Sequence, residues 1–351
     1  MNASDVAIAG AGIVGLTTAL ELAAHGRKVT VFDQAEAMSE ASRAAAGMLA
    51  GTDPENPPEL SDLARLSLAL YPGFLDRIET LSQKKIPIRT TSTVQAVHQP
   101  PSAARLLSAD DISSRAPGVR PDGWQFVLLD ESSFDAWDLA EALPSAVRAA
   151  GIDLREHIPV ISARSLPHSI ELVTAAGTFS AGAFLNATGA WAPGLEPSLP
   201  VMPRKGHMLT AELPGPVQMD CVLRSPGVYI VPRGGHRYTV GSTVEDAGFD
   251  RTVDAVRIRE LFSRAVELWP ALRDATVAET WIGFRPGSAD DLPIIDRTGE
   301  QRWVGTGHFR NGILLGPATG RVLSQWILGE EPAIDLSPFR ISRFANSSAR
   351  N

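Results

Sequence analysis

The 351-residue chain has one cysteine, Cys221. A single thiol cannot close an intrachain disulfide or build a cysteine-based zinc site, so Cys221 reads as a small buried hydrophobe in a reducing compartment. Cations are also in short supply: 32 Lys and Arg stand against 40 Asp and Glu, a net charge of −8. Nucleic acid is bound through a basic face, and the chain offers nothing closer to one than Lys84-Lys85, so no nucleic-acid partner is expected. The seven histidines lack the paired spacing of metal ligands, and no metal is expected. No apolar run reaches the roughly 18 residues of a membrane span. The nearest candidate, residues 6–24, follows Asp5, contains Glu21, has Gly and Thr in its middle and no Lys or Arg before it. It reads as neither a signal sequence nor a span. Repeats and low-complexity tracts are missing as well. What these absences leave is a globular cytoplasmic protein, long enough for two domains, with a homo-oligomer left open.

The amino terminus is rich in meaning. "DVAIAGAGIVGLTTALELAAHGRKVTVFD" predicts a strand from Val6 to Ala9, a helix to about Ala24 and a second strand from Lys28 to Phe32, ending in Asp33. Gly10-x-Gly12-x-x-Gly15 joins the first strand to the helix. The first glycine permits the turn, the second lets backbone approach a pyrophosphate, and the third allows close helix–strand packing. The helix amino terminus attracts phosphate charge, and Asp33 is placed to accept from a ribose hydroxyl, which disfavours NADP. This unit specifies an ADP moiety and leaves NAD and FAD open.

Later segments narrow the choice. "SRAAAGMLAG", from Ser42, is a tract of small residues that lets backbone approach a flat ligand, or else an ordinary Ala-rich helix. "FLNATGAWAP" places small residues after an apolar strand, and "GTGHFRNGILLGPATG" sets Arg310 among glycines ahead of a helix. With "PRKGHML", "VYIVPR" and "GFRPGSADDLPIID" these segments resemble, in order, the FAD-dependent amine oxidases of the D-amino acid oxidase superfamily, and within it the glycine oxidases. The likeness is weakest between about 85 and 140. Asp33 stands where the family more often has Glu, and Val244 where a glycine oxidase has a bulkier methionine.

The resemblance implies an α/β fold: a Rossmann-like FAD-binding domain of the glutathione-reductase type beside a mostly antiparallel β substrate domain. It implies non-covalent FAD held by Gly10, Gly12, Ile13, Val14, Gly15, Asp33, Ser42, Arg43, Ala45, Ala46, Gly47, Met48, Val160, Thr188, Gly189 and Trp191. His308, Arg310, Asn311, Gly312, Ile313 and Leu314 complete that set at the flavin edge. Arg285 and Tyr229 are the expected carboxylate ligands of a small amino acid or amine, since a guanidinium fork binds a carboxylate through two charge-assisted hydrogen bonds. Arg310 is expected beside them, against substrate or flavin, whereas Arg224, Arg233 and Arg237 read as surface or interface charges. The implied reaction is hydride transfer from the substrate α-carbon to flavin N5, then hydrolysis to a 2-oxo acid and ammonia, with dioxygen reduced to peroxide. Thiamine biosynthesis is the implied pathway. A D-amino acid dehydrogenase using a quinone or other carrier, a sarcosine oxidase-like enzyme and a non-catalytic nucleotide module are the alternatives.

Strand-like alternation at 88–98, 124–129, 201–213 and 228–242 assigns those segments to a second sheet, with "RGGHR" as a hairpin turn. The expected division is therefore discontinuous: 1–85, 143–200 and 296–345 bind FAD, and 86–142 and 201–295 bind substrate. Residues 51–62, with three prolines and four acids, read as a solvated connection into a helix over 63–81.

Overall fold

The computed structural model describes residues 3–100, 104–119, 123–217 and 219–345. Strand Ala3–Ala9 turns at Gly10 into helix Ile13–Ala24, and strand Val29–Phe32 returns parallel to the first. Val6 to Ala9 and Val29 to Phe32 are all buried, as a parallel strand covered on both faces requires. Around this pair grows the first sheet. Its order is Val160–Leu166, Ser169–Thr174, Gly177–Asn186, Ala3–Ala9, Val29–Phe32 and Asp153–Arg155, with Arg302–Thr306 also parallel to Gly177–Asn186 and Ile294–Gly299 beyond it.

Helix Gly312–Ile327 packs directly on helix Ile13–Ala24. Two glycines one turn apart permit the approach: a Cβ on Gly316 would stand 2.7 Å from Ile13 Cδ1, and one on Gly320 2.6 Å from Thr17 Cγ2. Helix Ala136–Ala149 joins the same core through Leu139, Leu143 and Val147. The expected boundary at residue 143 falls inside this helix.

The second sheet runs Thr276–Ser288, Val201–Glu212, Arg237–Gly241, Val228–Gly234, Val222–Ser225, Thr93–Val97, Gln125–Leu129 and Arg105–Leu106. Its neighbours are antiparallel except for the pair Val222–Ser225 and Thr93–Val97. Helix Ala255–Leu268 covers the face away from the first sheet, over a core that includes Trp269, Tyr238 and Cys221. The "RGGHR" turn forms as expected between Val228–Gly234 and Arg237–Gly241.

One open choice is decided and one expectation is corrected. Only Ala41–Ala44 of the small-residue tract is helical; Ala45 is extended, and Gly47 takes φ +80° where a Cβ would lie 1.9 Å from Phe134 O. The 51–62 segment is not simply solvated: its Asp53 side chain is only 8% exposed and faces arginines from two other segments. Those counter-charges lie far away in sequence, which is why the segment's acids and prolines alone suggest solvent. Helix Ser61–Ser82 follows, with Pro72 inside it.

Gly320→Val tests the helix contact. Its methyl groups meet Thr17 on a neighbour that cannot retreat, so stability should fall by about 1–3 kcal/mol, read as a lower urea midpoint, with Ser at this position costing less than Val.

Candidate active site between the two sheets

A cavity of about 590 Å³ lies between the sheets, bordered by the carboxyl ends of the parallel strands. That is where open α/β sheets place ligands, and its volume is ordinary for a small-molecule site. Gly10 has φ +104°, and a Cβ there would stand 2.2 Å from Ala187 O. The helix that follows has no side-chain cap from Gly12; Ser42 Oγ instead accepts the Ile13 N–H at 3.0 Å. Asp33 accepts Ala11 N–H at 2.6 Å and Ala35 N–H at 2.9 Å. Burial raises the Asp33 pKa against the pull of those hydrogen bonds.

The far end of the cavity is walled by the loop that enters helix Gly312–Ile327. Gly307 and Phe309 both have positive φ, and Tyr71 Oη donates to Ile313 O at 2.5 Å. His308 is 3% exposed, and its Nε2 lies 3.0 Å from Thr319 Oγ1. Burial pushes its pKa down to about 4, so the ring is neutral at pH 7.

Another wall of the cavity is a row across the second sheet. Trp281, Met208, Gly241, Tyr229, Arg224 and Gln95 are successive cross-strand partners, so their side chains leave the same face. Gly241 makes room for Tyr229, because a Cβ there would stand 2.2 Å from the phenolic oxygen. Gly206 does the same for Arg285, at 2.1 Å from Nη1. Arg285 Nη2 donates to Ser242 Oγ at 2.7 Å and Nη1 to Thr243 O at 3.2 Å. No carboxylate pairs with Arg285 among the described residues, and desolvation lowers its pKa while the Tyr229 hydroxyl opposes that shift.

Most of the expected site residues meet at this one cavity: Gly10, Gly12, Ile13, Val14, Asp33, Ser42, Ala45, Ala46, Gly47, Met48, Val160, Thr188, Gly189, Trp191, Tyr229, Arg285, His308, Arg310, Asn311, Gly312 and Ile313 line it. Gly15, Arg43 and Leu314 do not. Gly15 serves packing, since a Cβ there would meet Gly10 O at 2.0 Å. Arg43 stacks on Trp137 at 4.5 Å, and Leu314 is part of the hydrophobic core.

Two arginines read as surface or interface charges turn inward, Arg224 buried and Arg233 half-buried. Arg224 is 7% exposed and lines the cavity, with Gln95 Oε1 2.7 Å from Nη2, Glu131 Oε2 at 3.1 Å and Asp53 Oδ2 at 3.6 Å. Arg233 bonds Asp135 at 2.7 Å and lies 4.1 Å from the Trp137 ring centroid. Both are stabilised by partners from remote segments, which no local pattern could supply. Arg237 pairs with Glu279 at 2.8 Å in a half-exposed position, as expected of a surface charge. Asp53 and Glu55 were missed altogether; Glu55 Oε2 lies 2.8 Å from Arg310 Nη1. The quoted "PRKGHML" contained a signal for one further residue, Gly206, whose missing side chain seats Arg285.

The residues present fit an FAD. A turn that only Gly10 can make, a helix start left without its own cap, the Asp33 carboxylate at the next strand end and the flat small-residue wall from Ala44 to Gly47 are what its two halves need.

His308 generates a pH prediction. A histidine whose folded pKa lies below its unfolded value destabilises the fold as pH falls from about 6.5 to about 4, because the unfolded chain binds the proton first. Wild-type protein should lose roughly 3 kcal/mol across that window from this group, and His308→Asn should lose correspondingly less between pH 7 and 4 in urea unfolding.

A family model described as FAD dependent oxidoreductase matches residues 5–326. The glycine oxidase of Geobacillus kaustophilus (strain HTA426) is 33% identical, over 97% of this chain and 97% of that protein. The crystal structure of glycine oxidase from that species superposes with a TM-score of 0.92 at 31% identity, covering 98% of this chain and 99% of the other. The bifunctional protein ThiO/ThiG of Trichormus variabilis is 32% identical over 98% of this chain, which spans 56% of that longer protein. With a cavity that fits FAD and a family match over nearly its whole length, the chain belongs to the FAD dependent oxidoreductases of the D-amino acid oxidase type and is an FAD-dependent amine and amino acid oxidoreductase.

Proposed function

We propose that the chain oxidises glycine or another small amino acid or amine, sarcosine included, at the α-carbon, with dioxygen as the electron acceptor. The observation that carries this reading is the Arg285 guanidinium, placed in the cavity wall beside Tyr229 with no carboxylate of its own among the described residues. A desolvated cation of this kind gains most from an anionic ligand, and a planar fork suits a carboxylate. Bound FAD supplies the hydride acceptor, and the oxidised imine hydrolyses to a 2-oxo acid and ammonia, with peroxide formed from dioxygen.

The chain's own part is binding and orientation. Ser242 and Thr243 take two of the Arg285 donors, which fixes the plane of the fork. The remaining donors and the Tyr229 hydroxyl then face the substrate carboxylate, and this anchoring turns the α-carbon to one face of the cofactor. Glycines 206 and 241 allow both side chains to lie flat against the sheet rather than fill the cavity. Arg310 lines the same cavity and is paired with Glu55 at 2.8 Å. Likeness to glycine oxidases supports the substrate class, and likeness to ThiO/ThiG supports a place in thiamine biosynthesis. In this reading the first sheet and its helices bind FAD, and the second sheet binds substrate. The location is cytoplasmic in the same reading; among the described residues no helix is long and apolar enough to cross a membrane.

The test is a peroxide-coupled screen over glycine, sarcosine and D-amino acids. Peroxide on adding glycine is expected; reduction of an anaerobic dye without peroxide would assign a dehydrogenase instead. Arg285→Ala should raise KM for glycine by roughly thirtyfold or more, equivalent to about 2 kcal/mol, while the FAD absorbance is retained. Unchanged glycine turnover in that variant would remove Arg285 from the site.

A further inference from the structure

Beyond Arg285 and Tyr229 the cavity wall carries a second group of charges that the reaction does not use. Arg224 is the cross-strand neighbour of Tyr229, so its side chain rises from the same face of the sheet, one strand farther along. Its inner side is tied to Gln95 and Glu131, neither of which lines the cavity. Its remaining nitrogen, Nη1, is buried without a hydrogen-bond partner among the described residues. Arg310 approaches from the loop ahead of helix Gly312–Ile327 and lines the same cavity.

Between the two guanidiniums stands Asp53. Its Oδ2 is 3.6 Å from Arg224 Nη1 and 3.7 Å from Arg310 Nη2, too long for a hydrogen bond to either but close enough for strong attraction to both. Its Oδ1 accepts the Glu55 N–H at 3.0 Å, an Asx turn that fixes the carboxylate's direction. Glu55 in turn holds Arg310 from the outside at 2.8 Å.

We propose that Asp53 is a specificity-determining residue: its carboxylate occupies the place between Arg224 and Arg310 that a second anionic group of a substrate would take. A substrate with one carboxylate binds Arg285 and leaves this clasp undisturbed. A dicarboxylic amino acid meets Asp53 at short range and is repelled. Removing the Asp53 charge leaves two guanidiniums facing the cavity with less neutralisation, and converts the filter into a second carboxylate subsite. The proposal rests on Arg285 as the anchor of the first carboxylate.

The test uses holoenzyme and non-oxidisable ligands, so it does not depend on turnover. Acetate, malonate and succinate are titrated against the visible absorbance of the bound FAD. In wild-type protein acetate should bind about tenfold more tightly than either dicarboxylate; the reverse order overturns the proposal. Asp53→Asn keeps the Asx turn and should raise the affinity of malonate or succinate relative to acetate by about tenfold. Adding Arg224→Gln should take that gain back. Asp53→Ser, which also preserves an acceptor for Glu55 N–H, should repeat the shift if the Asn variant does not retain FAD. An unchanged ratio in a variant that binds acetate normally overturns the role of Asp53 alone. Failure of acetate to bind wild-type protein instead strikes the Arg285 anchor, and this proposal with it.

Discussion

Arg285 is a cation held in the cavity wall with no carboxylate beside it among the described residues, and much of the surrounding structure answers to that condition. An ion moved out of water costs several kcal/mol unless protein groups replace the lost solvent. Here the replacements are neutral: the Ser242 hydroxyl, the Thr243 carbonyl and the Tyr229 phenol. They satisfy donors without cancelling charge. The fork therefore keeps its attraction for an incoming anion, which a buried Asp or Glu would have consumed. Gly206 and Gly241 are part of the same arrangement, because any side chain at either position would displace Arg285 or Tyr229.

Arg233 and Arg224 follow the opposite rule. Arg233 is bonded to Asp135 and stacked on Trp137, whose ring also meets Arg43 and Trp281. Arg224 is surrounded by Gln95, Glu131 and Asp53, and burial raises the Glu131 pKa against the pull of Arg224. In these clusters arginines of the second sheet are matched inside the protein by groups from neighbouring strands, loops and the start of helix Ala136–Ala149. Matching is incomplete at two places in the cavity wall, at Arg285 and between Asp53 and its two flanking guanidiniums.

The nucleotide unit was legible because its determinants are local. A strand buried on both faces, glycines at set offsets and an acid at the next strand end lie within about 30 residues, the usual span of such a unit. Tyr229 and Arg285 were legible through family motifs rather than through chemistry, since nothing in "VYIVPR" or "GFRPGS" states that the two side chains meet. Arg224 was misread for a related reason. Its burial depends on Gln95, Asp53 and Glu131, which lie between 93 and 171 positions earlier in the chain. The 51–62 segment has the composition of a solvent loop, and only the fold carries Asp53 to the cavity.

By itself the sequence determined the βαβ unit, the mostly antiparallel character of the second sheet and the family, because turn glycines, strand periodicity and ordered motifs act over short distances. The tertiary structure alone decided which charges face the cavity, which arginines are neutralised and which glycines yield their space to a neighbour. Those outcomes depend on distances between residues far apart in the chain, and on the dehydration that comes only when the two sheets close over them.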